Sequence, residues 1–118
     1  MIVLSIILIC ISGIAKSICD TSESTFKNSK LKSLSPFFWN KHTSSSNKWK
    51  NGNPSDGEKF IGSSTIFVFL TDAWHLFDLI DIVMIFCSIS LSYSVIFTGV
   101  LFVIRQISFE ISYRFLNN

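Results

Sequence analysis

The chain has 118 residues, of which 48% are hydrophobic, and its mean hydropathy is +0.47. A soluble domain of this size could not bury so much apolar surface, and a net charge of +2 is too small to indicate a nucleic-acid partner. The apolar residues also occur in blocks, as in chains that are solvated by lipid. These totals predict an all-α fold: a small helical integral membrane protein with two or three transmembrane helices and a long polar loop.

Residues 1–19 are predicted to form a transmembrane anchor, because an apolar stretch of about 17–20 residues can cross a bilayer as a helix. A signal peptide is the alternative, although no basic residue precedes Lys16 and no A-x-A cleavage site follows. One helical face carries Ser5, Ser12, Lys16 and Cys19, which leaves the other faces to lipid. We expect an anchor that is not cleaved.

Residues 20–59 form a polar loop that is rich in Lys, Ser and Asn. Its aromatic residues, Phe37–Trp39 and Trp49, have lysines nearby, a combination that suits the headgroup layer of a membrane. A loop that is simply solvated fits the same composition. Both interpretations stay open.

Residues 60–81 predict an amphipathic helix that either spans the membrane or lies at its surface. At 100° per residue, one face is apolar and the other carries Ser64, Thr71, His75 and Asp78. The apolar residues favour insertion by about 3 to 6 kcal/mol, and Asp72 alone removes about 3 kcal/mol. The net free energy of inserting this segment into a membrane is therefore close to zero.

The distribution of positive charge favours the spanning alternative. Cytoplasmic loops carry an excess of Lys and Arg, and only three spans place both the lysine-rich loop and Arg105 on the cytoplasmic side. The start of the chain is then external and its tail is cytoplasmic. Two spans would leave the tail outside.

Residues 82–104 contain no charged side chain and predict a transmembrane helix of 23 residues. Ser88, Ser92 and Gly99 lie within about 40° of one another on this helix, so they form a candidate surface for close helix packing. Residues 105–118 mix apolar and polar side chains, and we expect them to form an interfacial C-terminal tail.

The candidate polar site consists of Thr71, Asp72, His75 and Asp78, with Asp81 beside it. Carboxylates next to an imidazole can relay protons, shift the histidine pKa or bind a metal ion. A metal site would need ligands from another helix, and no HxxxH or HExxH motif is present, so we predict no metal and no cofactor. The structural alternative is that His75 and Asp78 bond each other at an interface while Asp72 and Asp81 reach water.

Asp72 is expected to matter more for assembly than Asp81. Asp72 falls within the predicted helix of residues 60–81, where a buried acid is costly, whereas Asp81 falls at its edge. On this expectation Asp72→Ala disturbs assembly and Asp81→Asn has a mild effect.

Residues 59–77, KFIGSSTIFVFLTDAWHLF, and residues 108–113, SFEISY, resemble small uncharacterised membrane proteins of Bacteroidetes. From the first segment to the second, the resemblance extends over residues 59–113, about half of the chain. It implies a location in the bacterial inner membrane and nothing about activity.

Three functions fit the pattern. The first is a small membrane subunit or scaffold whose polar helical face docks a membrane-protein partner, or a second copy, within the lipid bilayer. The second is a component for proton relay or ion transport that uses Asp72 and His75. The third is a holin-like pore former. Because nucleophile elbows, P-loops and dinucleotide-binding motifs are missing from the sequence, we do not expect an enzyme.

Overall fold

The computed structural model describes residues 1–92 and 94–118, and over these residues the chain is helical. Its α-helices are α1 (Ile2–Asp20), α2 (Pro36–Trp39), α3 (Lys41–Ser44), α4 (Ala73–Ser90) and α5 (Val95–Asn117). A π-helical turn, Thr21–Thr25, follows α1, and the 3-10 turns are Phe26–Asn28, Lys30–Ser33, Lys50–Gly52, Pro54–Asp56 and Val68–Leu70. Among the described residues, α1, α4 and α5 are long and apolar enough to cross a membrane.

Helix α1 is the centre of the fold. Its pairings with α4 and with α5 are the two most extensive helix pairings in the described part of the chain. Helix α4 runs antiparallel to α1 and α5 runs parallel to it, so Asn118 lies at the same end as the C-terminus of α1. The molecule is flattened, with extents of 50 × 34 × 15 Å.

The pairing of α1 with α4 follows a seven-residue register. Ser88 Oγ donates to the Ser5 carbonyl at 2.8 Å, Ser12 bonds Asp81, and the Cys19 thiol lies 3.4 Å from the Trp74 carbonyl. Each step moves seven residues forward on α1 and seven residues backward on α4. This spacing is typical of left-handed coiled-coil packing. Of the predicted face, Ser5, Ser12 and Cys19 are fully buried, whereas Lys16 is partly exposed. The expectation that the other faces of α1 are left to lipid is wrong, because a second face packs on α5.

The pairing of α1 with α5 depends on small side chains. Ser108 Oγ donates to the Cys10 carbonyl at 2.8 Å, and Ser17 Oγ donates to Ser112 Oγ at 2.6 Å. At Gly13 a Cβ atom would lie 2.5 Å from the Arg105 carbonyl oxygen. Helices in lipid associate through such small residues because lipid provides no hydrophobic drive between them.

The long connection, residues 21–72, folds across one end of the three long helices. The Glu23 carboxylate accepts from Lys41 Nζ at 2.7 Å and from Trp74 Nε1 at 3.1 Å, so it ties α3 to the start of α4. Lys30 Nζ donates to the Phe115 carbonyl at 2.6 Å and lies 3.5 Å above the Phe115 ring. The connection is thus attached to α1, α4 and α5.

A local turn orders the second half of the long connection. The Glu58 carboxylate accepts from the amide nitrogens of Gly62 at 3.0 Å and Ser64 at 3.2 Å, and from the Ser64 hydroxyl. These hydrogen bonds hold the pKa of the Glu58 carboxyl below its usual range. An isolated antiparallel bridge between Trp49 and Glu58 precedes this turn.

The predicted helix boundaries need correction. Residues 60–72 consist of turns and a 3-10 segment, and the helix begins only at Ala73. The predicted helix 82–104 is divided between α4, which ends at Ser90, and α5, which begins at Val95; Tyr93, inside that prediction, lies outside the described residues. Residues 105–118 are a continuation of α5 rather than a separate tail. A mean hydropathy does not register side chains that end and begin helices, and Ser94 caps α5 by accepting from the Phe97 amide at 3.4 Å.

The predicted packing stripe of Ser88, Ser92 and Gly99 is also wrong as one surface, because its members do not share a helix. Ser88 is buried against α1. Ser92 lies between α4 and α5, where its hydroxyl bonds the Ser94 carbonyl and the Thr98 hydroxyl. Gly99 lies on α5, and no atom would lie within 4 Å of an added Cβ.

Gly13→Ala should destabilise the fold by about 1–3 kcal/mol, because the methyl group would meet backbone atoms of α5 that cannot rotate away. Unfolding by SDS in mixed micelles, followed by circular dichroism, measures this effect. Gly99→Ala is the matched control, and it should leave stability unchanged or slightly increased because its Cβ meets open space. Equal stabilities for the two variants would contradict the close approach at Gly13.

Candidate functional site

Three polar side chains, one from each long helix, meet in the middle of the molecule. Arg105 Nη2 lies 2.8 and 2.6 Å from the two carboxylate oxygens of Asp81. Arg105 Nε donates to Ser12 Oγ at 2.7 Å, and the Ser12 hydroxyl donates to Asp81. We refer to Ser12, Asp81 and Arg105 as the central cluster.

The central cluster lies near the midpoint of every long helix. Ser12 is the eleventh of 19 residues in α1, Asp81 the ninth of 18 in α4, and Arg105 the eleventh of 23 in α5. The Asp81 side chain is 8% exposed and that of Arg105 is 18% exposed. Burial of either charge alone would be costly, so each stabilises the other and Ser12 satisfies a further donor of Arg105.

These positions correct the expected ranking of the two acids. Asp72 does not lie within a helix; it is the N-cap of α4, and its carboxylate accepts from the His75 amide at 2.8 Å. Asp81, which we expected at the edge of a segment and in water, is buried at the centre of α4. The argument that an acid inside a membrane needs a partner therefore applies to Asp81, and Arg105 is that partner.

The predicted polar site is only partly assembled. His75 Nδ1 lies 2.9 and 2.8 Å from the Asp72 carboxylate oxygens, so histidine pairs with Asp72 rather than with Asp78. Thr71 is buried, and its hydroxyl donates to the Val68 carbonyl at 2.6 Å. Asp78 is half-exposed and lies with His75 along a shallow groove. Over residues 1–92 and 94–118, no three His, Cys, Asp or Glu side chains converge as metal ligands.

Helix α5 has a second face, directly opposite the one that packs on α1. At 100° per residue this face is centred about 180° from Leu101 and Arg105, which are turned toward α1. We call it the outer face of α5, and it consists of Ile96, Gly99, Val103, Gln106 and Glu110. All five residues are exposed.

Gln106 is the residue that distinguishes the outer face. It is the twelfth of the 23 residues of α5 and therefore lies at the midpoint of that helix. Its neighbour Arg105 is turned inward and paired, whereas the Gln106 amide is turned outward. A polar amide at the midpoint of a helix that crosses a membrane would need a hydrogen-bonding partner from another helix.

The sequence interpretation missed Ser12 and Arg105 as partners of Asp81 and did not consider Gln106. One signal was present: Arg105 and Gln106 interrupt an amphipathic pattern that continues to the end of the chain, so Arg105 need not mark the end of a span. The distance of 24 residues between Asp81 and Arg105 carries no periodic signal, because a turn separates the two helices.

No family model, no curated protein and no solved structure matches this chain. Any inference about function therefore depends on the arrangement of the chain's own residues. The two features on which it depends are the central cluster and the outer face of α5.

Asp81→Ala and Arg105→Ala should each destabilise the fold by about 3 kcal/mol or more, since each leaves a buried charge without its partner. The double variant should lose less than the sum of the two, because it leaves no uncompensated charge. SDS unfolding of the four proteins measures the coupling free energy.

Asp78→Ala is the matched control, since Asp78 lies on the same helix and is half-exposed. We expect a loss of stability below about 1 kcal/mol for this variant. Additive losses for Asp81→Ala and Arg105→Ala, or an equal loss for Asp78→Ala, would contradict the structural role of the central cluster.

Proposed function

We propose that this chain is a small membrane subunit that docks a membrane-embedded partner through the outer face of α5. We expected the docking face to be the polar face of residues 60–81, which carries Ser64, Thr71, His75 and Asp78. Thr71 is buried and His75 is bonded to Asp72 at the end of the helices, so that region offers less free polar surface. The position of Gln106, exposed at the midpoint of α5, is the observation that carries the proposal.

The depth of Gln106 follows from the length of its helix. A helix of 23 residues is about 34 Å long, slightly more than the roughly 30 Å hydrocarbon core of a bilayer. With α5 across the membrane, Gln106 lies near the bilayer centre. Lipid tails cannot bond its amide, so a partner helix that does so gains both hydrogen bonding and packing.

The central cluster supports docking because it controls the rotation of α5. Arg105 makes three hydrogen bonds to Asp81 and one to Ser12, so α5 cannot turn without breaking them. Gln106 follows Arg105 in the helix and is held on the exposed side as a result. A rigid, pre-oriented face loses less entropy on association than a mobile one.

The fold also supports the three-span orientation. All eight lysines lie between Lys16 and Lys59, at the end of the fold formed by the C-terminus of α1 and the long connection, and Arg114 lies near that end of α5. An excess of positive charge favours the cytoplasmic side. The long connection and Asn118 would then both face the cytoplasm.

A reporter that is active only in the cytoplasm should therefore be active when it is fused after Asn118. The matched control is the same reporter fused after Leu91, between α4 and α5, where it should be inactive. An inactive fusion at Asn118 would contradict the three-span orientation.

Docking is tested by a photo-crosslinking amino acid at Val103, which lies on the outer face and is 61% exposed. We expect a discrete crosslinked protein adduct in membranes. Phe86, on α4 and 71% exposed, is the control position and should give labelled lipid without that adduct. Identical patterns at both positions would count against a specific docking face.

A further inference from the structure

We propose that the partner docked on the outer face of α5 is a second copy of this chain, in a parallel two-fold dimer. This inference rests on the proposed function, because it names the occupant of the same face.

The spacing of the outer face is that of a coiled-coil seam. Ile96, Gly99, Val103, Gln106 and Glu110 follow one another at intervals of three, four, three and four residues. The seam is mixed, with Ile96 and Val103 apolar, Gly99 small, and Gln106 and Glu110 polar, and a seam with this period packs against a helix that has the same period. The α5 helix of a second copy carries that period in the same register.

Gln106 makes the face self-complementary. A carboxamide is both a donor and an acceptor, so two Gln106 side chains that meet at a two-fold axis can each donate to the other. Two copies with the same membrane orientation have parallel α5 helices, which brings the two Gln106 side chains to the same depth. An acidic or a basic side chain at this position would repel its own copy, whereas an amide does not.

The residues on either side of Gln106 fit the same arrangement. Below it, Gly99 has open space around the position of its Cβ and permits close approach of a second helix. Above it, Glu110 would approach its own copy, and a pair of carboxylates alone would repel. Arg114 Nε lies 3.4 Å from the Glu110 carboxylate of the same helix, so each acid carries its own counter-charge.

The seam also lies where a second copy can reach it. The outer face points away from α1, and α4 packs on α1 rather than across this face. Two copies can therefore join through α5 with no rearrangement of the central cluster. Ser12, Asp81 and Arg105 remain within each copy.

The experiment uses two differently tagged full-length copies, co-expressed, with the photo-crosslinker at Val103 of one copy. An adduct that carries both tags supports the dimer. Protein adducts of which none carries the second tag overturn the dimer but leave docking in place. The lack of any protein adduct overturns both proposals, so the two failures are distinguishable.

Gln106→Leu and Gln106→Asn then test the amide itself. Gln106→Leu should reduce the yield of the two-tag adduct by roughly tenfold, the size expected for two interhelical hydrogen bonds in lipid, and Gln106→Asn should retain part of it. Because Gln106 is exposed, both variants should keep wild-type helicity and SDS resistance. An unchanged yield with Gln106→Leu in folded protein would overturn the role of the amide, and Phe86→Leu on α4 should leave the yield unaffected.

Discussion

The Asp81–Arg105 ion pair is the interaction on which the arrangement of the long helices depends. It joins α4 to α5 directly, and Ser12 connects both to α1, so one cluster links all three helices at their midpoints. Small side chains also bond to α1, since the hydroxyls of Ser88 and Ser108 donate single hydrogen bonds to the backbone carbonyls of Ser5 and Cys10. Such bonds are individually weak in lipid, where the average is well below 1–2 kcal/mol. The ion pair therefore determines which helices pack together and in which register, and the small side chains allow their backbones to approach closely.

The class of fold and one of its interfaces could be predicted from the sequence. Composition indicated a helical chain with two or three potential spans, and the described part of the chain has three helices of sufficient length and hydropathy. The periodicity of residues 1–19 also identified the face of α1 that packs on α4, because helical spacing alone places Ser5, Ser12 and Cys19 together, but it missed the second buried face, which packs on α5. These features are local, so a sequence displays them directly.

The site could not be predicted in the same way, because it depends on where helices begin and end. Asp72 and Ser94 are capping residues that set the starts of α4 and α5. The mean hydropathy of the 23 residues 82–104 does not change sign at Ser94, so it gives no indication that a new helix begins there. Because the predicted helix of residues 82–104 ends at Ile104, Arg105 was interpreted as a flanking charge, and its pairing with Asp81 was not predicted. An error of one helix boundary thus hid the only buried ion pair between long helices that the described residues contain.

The location of Arg105 also has a consequence for biogenesis. An arginine at the centre of a helix resists entry into lipid by about 2.5–3.5 kcal/mol on insertion scales, and Asp81 imposes a similar cost on α4. In the proposed spanning arrangement, the short segment of residues 91–94 lets α4 and α5 enter lipid together as a hairpin, so that their opposite charges neutralise each other before either meets hydrocarbon. Because α1 precedes both helices in the chain, Ser12 is synthesised before Asp81 and Arg105.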